Sequence, residues 1–332
     1  MVDAAVVGGG PAGIAAALAL AREGLSVVLV ERSGRLGGRA GELACMATTR
    51  CRRCSACLVR DAAAELGRET GIRVVLGAAV TGASRSRDAV EISLERGESL
   101  AARSAVLCTG FEPFDARAKP FLGYGRLAGV VTTLELDRVL AASGDRGWSE
   151  GGEAPRRVAF VQCVGSREGK EGRGYCSQVC CAVSLRLAGK LLHLHEGMEI
   201  TIFYIDLQLL ARSVRSYHEE IRSRIRFVQG VPGEIEAAVE GGLVVRHEDT
   251  GSGTASTFDR VVLGVGMVPA GPTSDLASQL GLGAGSYGFA SAGVAPVVAA
   301  GACTFPRDIP GSMDDGRAAA IALARALEAG HG

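Results

Sequence analysis

The 332-residue chain carries 36 basic and 36 acidic side chains and is 47% hydrophobic, with only 5% aromatic residues. This balance gives nucleic acid and anionic membranes no bulk electrostatic attraction. No apolar run approaches the roughly 20 residues of a membrane span, and the chain enters a strand directly, so a cytoplasmic protein without membrane insertion is expected.

The length suits two domains, and one interrupted by the other is favoured; the 47 glycines indicate an α/β protein with close strand, helix and ligand approach. Asp3 to Val7 reads as a strand, followed by Gly8-Gly9-Gly10-Pro11-Ala12-Gly13 and an Ala/Leu-rich helix to about Arg22. Leu25 to Val30 is a second strand ending in Glu31. Gly8, Gly10 and Gly13 form G-x-G-x-x-G in the strand–turn–helix setting that brings a pyrophosphate to a helix N-terminus, with Glu31 placed for a ribose hydroxyl. The alternative reading is merely a tight turn. Pro11, Ala12 and Arg32 complete this first set of nucleotide-binding candidates.

Arg35-Leu36-Gly37-Gly38-Arg39 comes next, and then Cys45-x5-Cys51-x2-Cys54-x2-Cys57. The tight cysteine ladder suits an iron-sulfur cluster or zinc, and Arg50, Arg52 and Arg53 would offset thiolate charge or form a solvated basic turn. Asp61 to Arg68 is expected as a helix, Arg73 to Leu76 as a strand and Val90 to Leu94 as part of an antiparallel ribbon, with Val80 between them a further cofactor candidate. Ala105 to Pro113 is a strand followed by Thr109-Gly110, in which Cys108 reads as a small buried residue.

Gly144 to Pro155 is expected as an exposed loop. Arg157 to Val161 is a buried strand and Gln178 to Leu192 a helix, a βαβ start from which the nucleotide glycines are missing. Cysteines stand in their stead: Cys163 at the strand end, then Cys176, Cys180 and Cys181. Four thiolates converging there suit an iron-sulfur cluster, with zinc, redox thiols or packed cysteines as other readings. Arg167, Lys170 and Arg173 add positive charge in the connecting loop.

Glu199 to Tyr204 is a strand and Ser216 to Arg224 a helix. His193 and His195 read as a helix end, Glu219-Glu220 as a solvated face. Phe258 to Pro269 repeats the strand-glycine-proline pattern of the first domain. Ala299 to Cys303, Asp308 to Ser312 and a helix from Met313 to Glu328 return to the first domain, and Gly301, Asp308 and Ile309 are cofactor candidates there. The expected fold is thus α/β with two Rossmann-like domains: 1–113 and 287–332 with the Cys-rich segment 45–57, interrupted by 114–286.

Arg35 to Arg39 resembles the GG motif of flavoproteins with two dinucleotide-binding domains, and Ala105 to Pro113 their A-T-G-x-x-P strand, which favours FAD over NAD. Phe160 to Cys181, FVQCVGSR with YCSQVCC, is similar to the A-type subunit of heterodisulfide reductase, as are VTTLELDRVL (Val131 to Leu140), TIFYIDLQLL (Thr201 to Leu210), VLGVGMVP (Val262 to Pro269) and Asp308 to Ser312. That resemblance implies a thioredoxin-reductase-like fold, non-covalent FAD, a 4Fe-4S cluster on Cys163, Cys176, Cys180 and Cys181, and electron transfer within a multi-subunit complex with iron-sulfur partners. A homodimer is a further arrangement. Larger members carry ferredoxin-like domains; this chain resembles the short forms of heterodisulfide-reductase-like complexes. Two departures stand out. Ala302 follows Gly301 where the flavoproteins have an aspartate on the ribityl chain, and the Cys45 to Cys57 quartet is richer than the long forms imply. The competing reading is a free-standing NAD(P)H-dependent disulfide reductase, and a third is a zinc-stabilised flavin scaffold.

Overall fold

The computed structural model describes residues 1–95, 97–143, 148, 154–249 and 251–329. The loop expected over Gly144 to Pro155 lies almost entirely outside the described residues.

In chain order, β1 (Val2–Val7), α1 (Pro11–Arg22), β2 (Val27–Glu31), α2 (Ala56–Leu66), β3 (Ile72–Leu76), β4 (Val80–Arg85), β5 (Val90–Leu94), β6 (Ser99–Leu107) and β7 (Phe111–Pro113) come first. β8 (Val130–Thr132), α3 (Thr133–Ser143), β9 (Arg157–Val164), α4 (Cys180–Leu194), β10 (Glu199–Tyr204), α5 (Arg212–Ile221) and β11 (Ile225–Gln229) follow. Then come β12 (Glu234–Ala237), β13 (Leu243–Asp249), β14 (Ser252–Phe258), β15 (Arg260–Val265) and β16 (Met267–Pro269). The chain closes with α6 (Gly271–Gln279), β17 (Gly293–Val294), β18 (Val297–Ala299) and α7 (Ile309–Ala329).

Two compact units result, one of residues 1–42, 55–112 and 268–332, the other of 43–54 and 113–267. The first unit is built on a sheet in the order β17-β18-β6-β1-β2-β3, to which β5 and β4 add an antiparallel ribbon. β1 runs parallel to β2 and β6, with Val6 opposite both Leu29 and Val106. Buried on both faces, β2 and the C-terminal ends of β1 and β6 are apolar runs, as a parallel sheet requires. Helix α1 is almost wholly small or aliphatic, and Ala12 through Leu20 are buried. α7 lies close against it: a Cβ added to Gly316 would stand 2.2 Å from the Ala12 carbonyl oxygen.

The second unit has the parallel order β11-β10-β9-β15-β8 and a separate antiparallel sheet β12-β13-β14. β9 pairs with β10 and β15, and the β9–β15 register shifts between Leu263 and Val265, level with the end of β9. Val158 and Phe160 of β9 pack against Leu185, Ala188 and Leu191 of α4.

Several boundaries differ from the sequence reading. Residues 268–286, expected in the second domain, fall in the first unit, because Leu276, Ala277 and Leu280 pack with Ile92 and Leu94 and Gln279 Oε1 accepts from the Ala83 N–H (2.7 Å). Segment 43–54 of the Cys-rich stretch falls in the second unit: Ala44 and Met46 enter its core and the Ala44 N–H donates to buried Asp137 (2.7 Å). α2 starts at Ala56 rather than Asp61, and α7 at Ile309 rather than Met313. α4 starts at Cys180 rather than Gln178, whose φ of 64° is left-handed.

Candidate functional site

In the first unit the fingerprint glycines divide by role. Gly8 has φ +108°, and an added Cβ would meet the Cys108 carbonyl oxygen at 2.3 Å; at Gly13 it would meet the Gly8 oxygen at 1.8 Å. These two close the strand–turn–helix. At Gly10, the N-cap of α1, an added Cβ meets nothing within 4 Å, and no side chain caps the helix, so its first-turn N–H groups have room for an anion. Pro11 stands in the first turn and Ala12 is buried behind it.

Glu31 ends β2, buried, and its Oε2 accepts from the Gly9 N–H (2.6 Å) while Oε1 accepts from the Ser33 N–H (2.8 Å). The carboxylate is thereby set at the mouth of the glycine turn, with Arg32 exposed beside it. The GG segment docks on the same turn: the Gly37 N–H donates to the Gly9 carbonyl (2.8 Å), and a Cβ on Gly38 would lie 3.1 Å from the Gly10 Cα. Arg39 lies over the Phe111 ring, 5.7 Å from its centroid. Val80 opens β4 opposite Leu94 and is half-buried.

On the return, Thr109 Oγ1 hydrogen-bonds Thr273 Oγ1 (2.7 Å), and Gly110, φ 74°, again has nothing within 4 Å of an added Cβ. Gly301, φ 81°, comes so close to α1 that its Cβ would meet the Ala12 methyl at 2.5 Å. Asp308 is exposed and caps α7, its Oδ1 accepting from the Gly311 N–H (2.8 Å), with Ile309 the first helical residue. Sequence reasoning missed Asp315, whose Oδ2 accepts from the Gly301 N–H (2.7 Å) and pairs with Arg307 (3.2 Å). No motif marks it, since only the packing of α7 brings it to the glycine 14 residues earlier. Cys108 and Cys303 are buried; burial pushes the Cys303 thiol up to about 11. The open space at Gly10 and Gly110, the uncapped helix and the buried Glu31 fit a flavin dinucleotide.

In the second unit Cys163 is the penultimate residue of β9, with φ 63°, Cys176 is half-buried in the loop, and Cys180 and Cys181 open α4. The first turn of α4 has no side-chain cap. Cys176 Sγ accepts from the Gln178 N–H (3.2 Å), and Cys180 Sγ lies 3.7 Å from the Val265 carbonyl oxygen. Burial pushes the Cys163 thiol up to about 12, and the neighbouring Cys181 and Cys176 push in the same direction. Burial, then Cys163, Cys181 and Cys176, raise Cys180 likewise, so the four sulfurs lie within electrostatic reach of one another. Among the described residues no three His, Cys, Asp or Glu side chains converge closely enough to hold a metal ion. The donor set, four cysteine sulfurs, is of the kind an iron-sulfur cluster or zinc takes.

Of the three loop cations, Arg167 and Arg173 are engaged, while Lys170 is exposed. Arg167 is ion-paired with Asp206; Arg173 pairs with Glu168 (2.9 Å) and lies over the Phe114 ring. Cys45, Cys51 and Cys57 are exposed and Cys54 half-buried; Cys57 belongs to α2 in the first unit. Glu220 is more than the solvated acid expected: it pairs with Arg50 and with Arg52 (3.0 Å), whose guanidinium lies 4.4 Å from the Tyr217 ring centroid. Arg186 and Lys190 of α4 donate to the carbonyls of Arg52 (3.2 Å) and Ala47 (3.0 Å), so segment 43–54 is strapped onto α4 and α5. His195 closes α4, its Nε2 accepting from the Trp148 N–H (3.0 Å).

Residues 3–66 match the family described as FAD dependent oxidoreductase. The fold is similar to Thermoplasma acidophilum thioredoxin reductase at TM-score 0.67 and 18% identity, over 98% of this chain and 99% of that one. The chain therefore has a thioredoxin-reductase-like, two-domain fold whose N-terminal segment is similar to FAD dependent oxidoreductases. It is, more particularly, a relative of the A-type subunit of heterodisulfide reductase. It is 29% identical to the second iron-sulfur A-type subunit of the CoB–CoM heterodisulfide reductase of Methanopyrus kandleri, over 98% of this chain and 64% of that protein. It is 34% identical to the A-type subunit of the H2:CoB–CoM heterodisulfide,ferredoxin reductase of Methanothermobacter thermautotrophicus, over 70% of this chain and 37% of that protein. The chain thus spans less than two thirds of these relatives' length.

Proposed function

We propose that the chain is the FAD- and 4Fe-4S-containing electron-transfer subunit of a cytoplasmic heterodisulfide-reductase-like complex, acting in sulfur or disulfide metabolism and exchanging electrons with iron-sulfur partner subunits. The observation that carries the reading is the turn between β9 and α4. A nucleotide-binding unit has glycines and free N–H groups there, and this one has Cys163, Cys180 and Cys181 with Cys176 close by. Adjacent buried thiols that resist ionisation gain most from a metal that shares their charge. The iron-sulfur designation of the Methanopyrus relative supports the same assignment.

In this reading Gly10 and the first turn of α1 hold the FAD diphosphate, Glu31 accepts from a ribose hydroxyl, and Gly38, Thr109, Gly110 and Gly301 keep the flavin side of the site clear. Asp315 fixes the turn at Gly301 by accepting from its N–H. FAD supplies two-electron and one-electron chemistry and the cluster one-electron chemistry. The protein orients both and excludes water from Cys163, Cys180 and Cys181, which are buried. The test is anaerobic reconstitution followed by flavin and iron analysis, with co-purification from the native cell. One FAD and about four irons per chain, with iron-sulfur subunits bound, is expected; a chain that retains flavin, takes up no iron and turns over disulfide with NADPH would instead be the free-standing reductase.

A further inference from the structure

Side chains alternate across a strand, so Gln162 continues the face on which Val158 and Phe160 meet α4. It ends that row at the level of the cysteines. Gln162 is 1% exposed, yet among the described residues neither its Nε2 nor its Oε1 has a hydrogen-bond partner. Ser184 is fully buried and its Oγ is likewise unpartnered. It stands one turn after Cys180 on the same face of α4. Room for the amide is kept by β15: a Cβ added to Gly264 would lie 3.1 Å from Gln162 Oε1, where the β9–β15 register shifts.

Buried amides and hydroxyls are nearly always satisfied, because an unpaired one forfeits its hydration without return. Two such orphans lie on the α4 side of β9, one in the residue preceding Cys163 and one a turn beyond Cys180, next in sequence and along the helix to the proposed cluster ligands. An amide N–H is a donor that sulfur accepts, and a donor aimed at a cluster stabilises the extra negative charge of its reduced form. We infer that the Gln162 side-chain amide donates to a sulfur of the iron-sulfur group held by Cys163, Cys176, Cys180 and Cys181 and raises its reduction potential. The inference rests on the proposed cluster site. It adds a potential-setting residue that ligates nothing.

The test is redox-titrated electron paramagnetic resonance of the reconstituted full chain, wild type against Gln162→Met and Gln162→Leu. Both variants are expected to hold the same iron per chain as wild type and to titrate at a more negative midpoint. An unmoved midpoint in iron-loaded variants overturns the inference and leaves the cluster site standing. No iron-sulfur signal in the wild type overturns the cluster site, and the inference with it. Should neither variant fold, electron-nuclear double resonance on a chain carrying Gln178→Ala and Gln208→Ala, labelled with 15N in glutamine side chains, is expected to detect a nitrogen coupled to the cluster. Absence of that coupling also overturns the inference.

Discussion

Asp137 on α3 accepts a hydrogen bond from the backbone N–H of Ala44 at 2.7 Å, deep in the second unit, and this contact draws segment 43–54 away from the domain in which its sequence neighbours lie. Burial holds the Asp137 carboxyl up at about 6, with the Ala44 N–H pulling the other way. Its folded pKa thus exceeds the unfolded one near 4, so the folded chain binds the extra proton between those values. Stability therefore falls as pH rises from about 4 to about 6, by on the order of 3 kcal/mol for this one group, and the loss persists above pH 6. Asp137→Asn keeps an acceptor for Ala44 and removes the charge. It is expected to be more stable than wild type at pH 8 and to lose that pH-dependent component, as read by urea denaturation across pH; a less stable Asn variant at pH 8 would contradict the assignment.

The strap itself is held by Glu220. Its carboxylate binds Arg50 and Arg52, and Arg52 also donates to Thr48 Oγ1 (2.6 Å). Glu220→Ala is expected to cost about 1 kcal/mol or less in global stability, since the carboxylate is about one third exposed. Tryptic cleavage at Arg50 to Arg53 should nevertheless speed up, because local opening needs only these contacts to break. Equal cleavage rates in variant and wild type would mean that the carbonyl contacts of Arg186 and Lys190 hold the segment alone.

The glycines of the first turn separate folding from binding. Gly10→Val adds side-chain atoms where nothing stands within 4 Å, so a folded protein without flavin is expected. Gly13→Ala puts a methyl 1.8 Å from the Gly8 oxygen, so loss of the fold, or a large fall in melting temperature, is expected before any question of flavin arises. The ratio of flavin to protein absorbance, with thermal melts, distinguishes the two; a Gly10→Val protein carrying full FAD would move the diphosphate elsewhere.

Much of this was legible in the chain. β1 and β10 are bounded in the sequence by glycines, charges and apolar period and fall within a residue of expectation, while α1 opens at Pro11, inside the glycine turn rather than after it. The glycine turn, Glu31 and the cysteine positions were readable because each is a residue type with little other reason to stand in that context. What escaped depended on distant packing. Asp315 meets Gly301 only once α7 lies on α1, Glu220 meets Arg52 only once residues 43–54 cross α5, and the placement of α6 with β4 rests on Gln279 and Ala83. Local periodicity carries no record of such partners.

The second unit should bind NADH or NADPH poorly, because the β9–α4 turn offers thiols where a pyrophosphate needs glycine N–H groups. Stopped-flow mixing of the anaerobic chain with either nucleotide is expected to leave the flavin oxidised over seconds. Rapid bleaching would restore the free-standing reductase as the better reading.

The most direct test of the central claim is Cys180→Ala in the anaerobically reconstituted chain, with iron, flavin and electron paramagnetic resonance measured on one sample. Cys180 is buried at the start of α4 and Cys163, Cys181 and Cys176 all act on its thiol. Wild type is expected to hold about four irons per chain and one cluster signal, and near eight would mean that Cys45, Cys51, Cys54 and Cys57 hold iron too. The variant should lose or strongly alter that signal while keeping its FAD; an unchanged spectrum and iron count would contradict the account of the second unit as an electron relay.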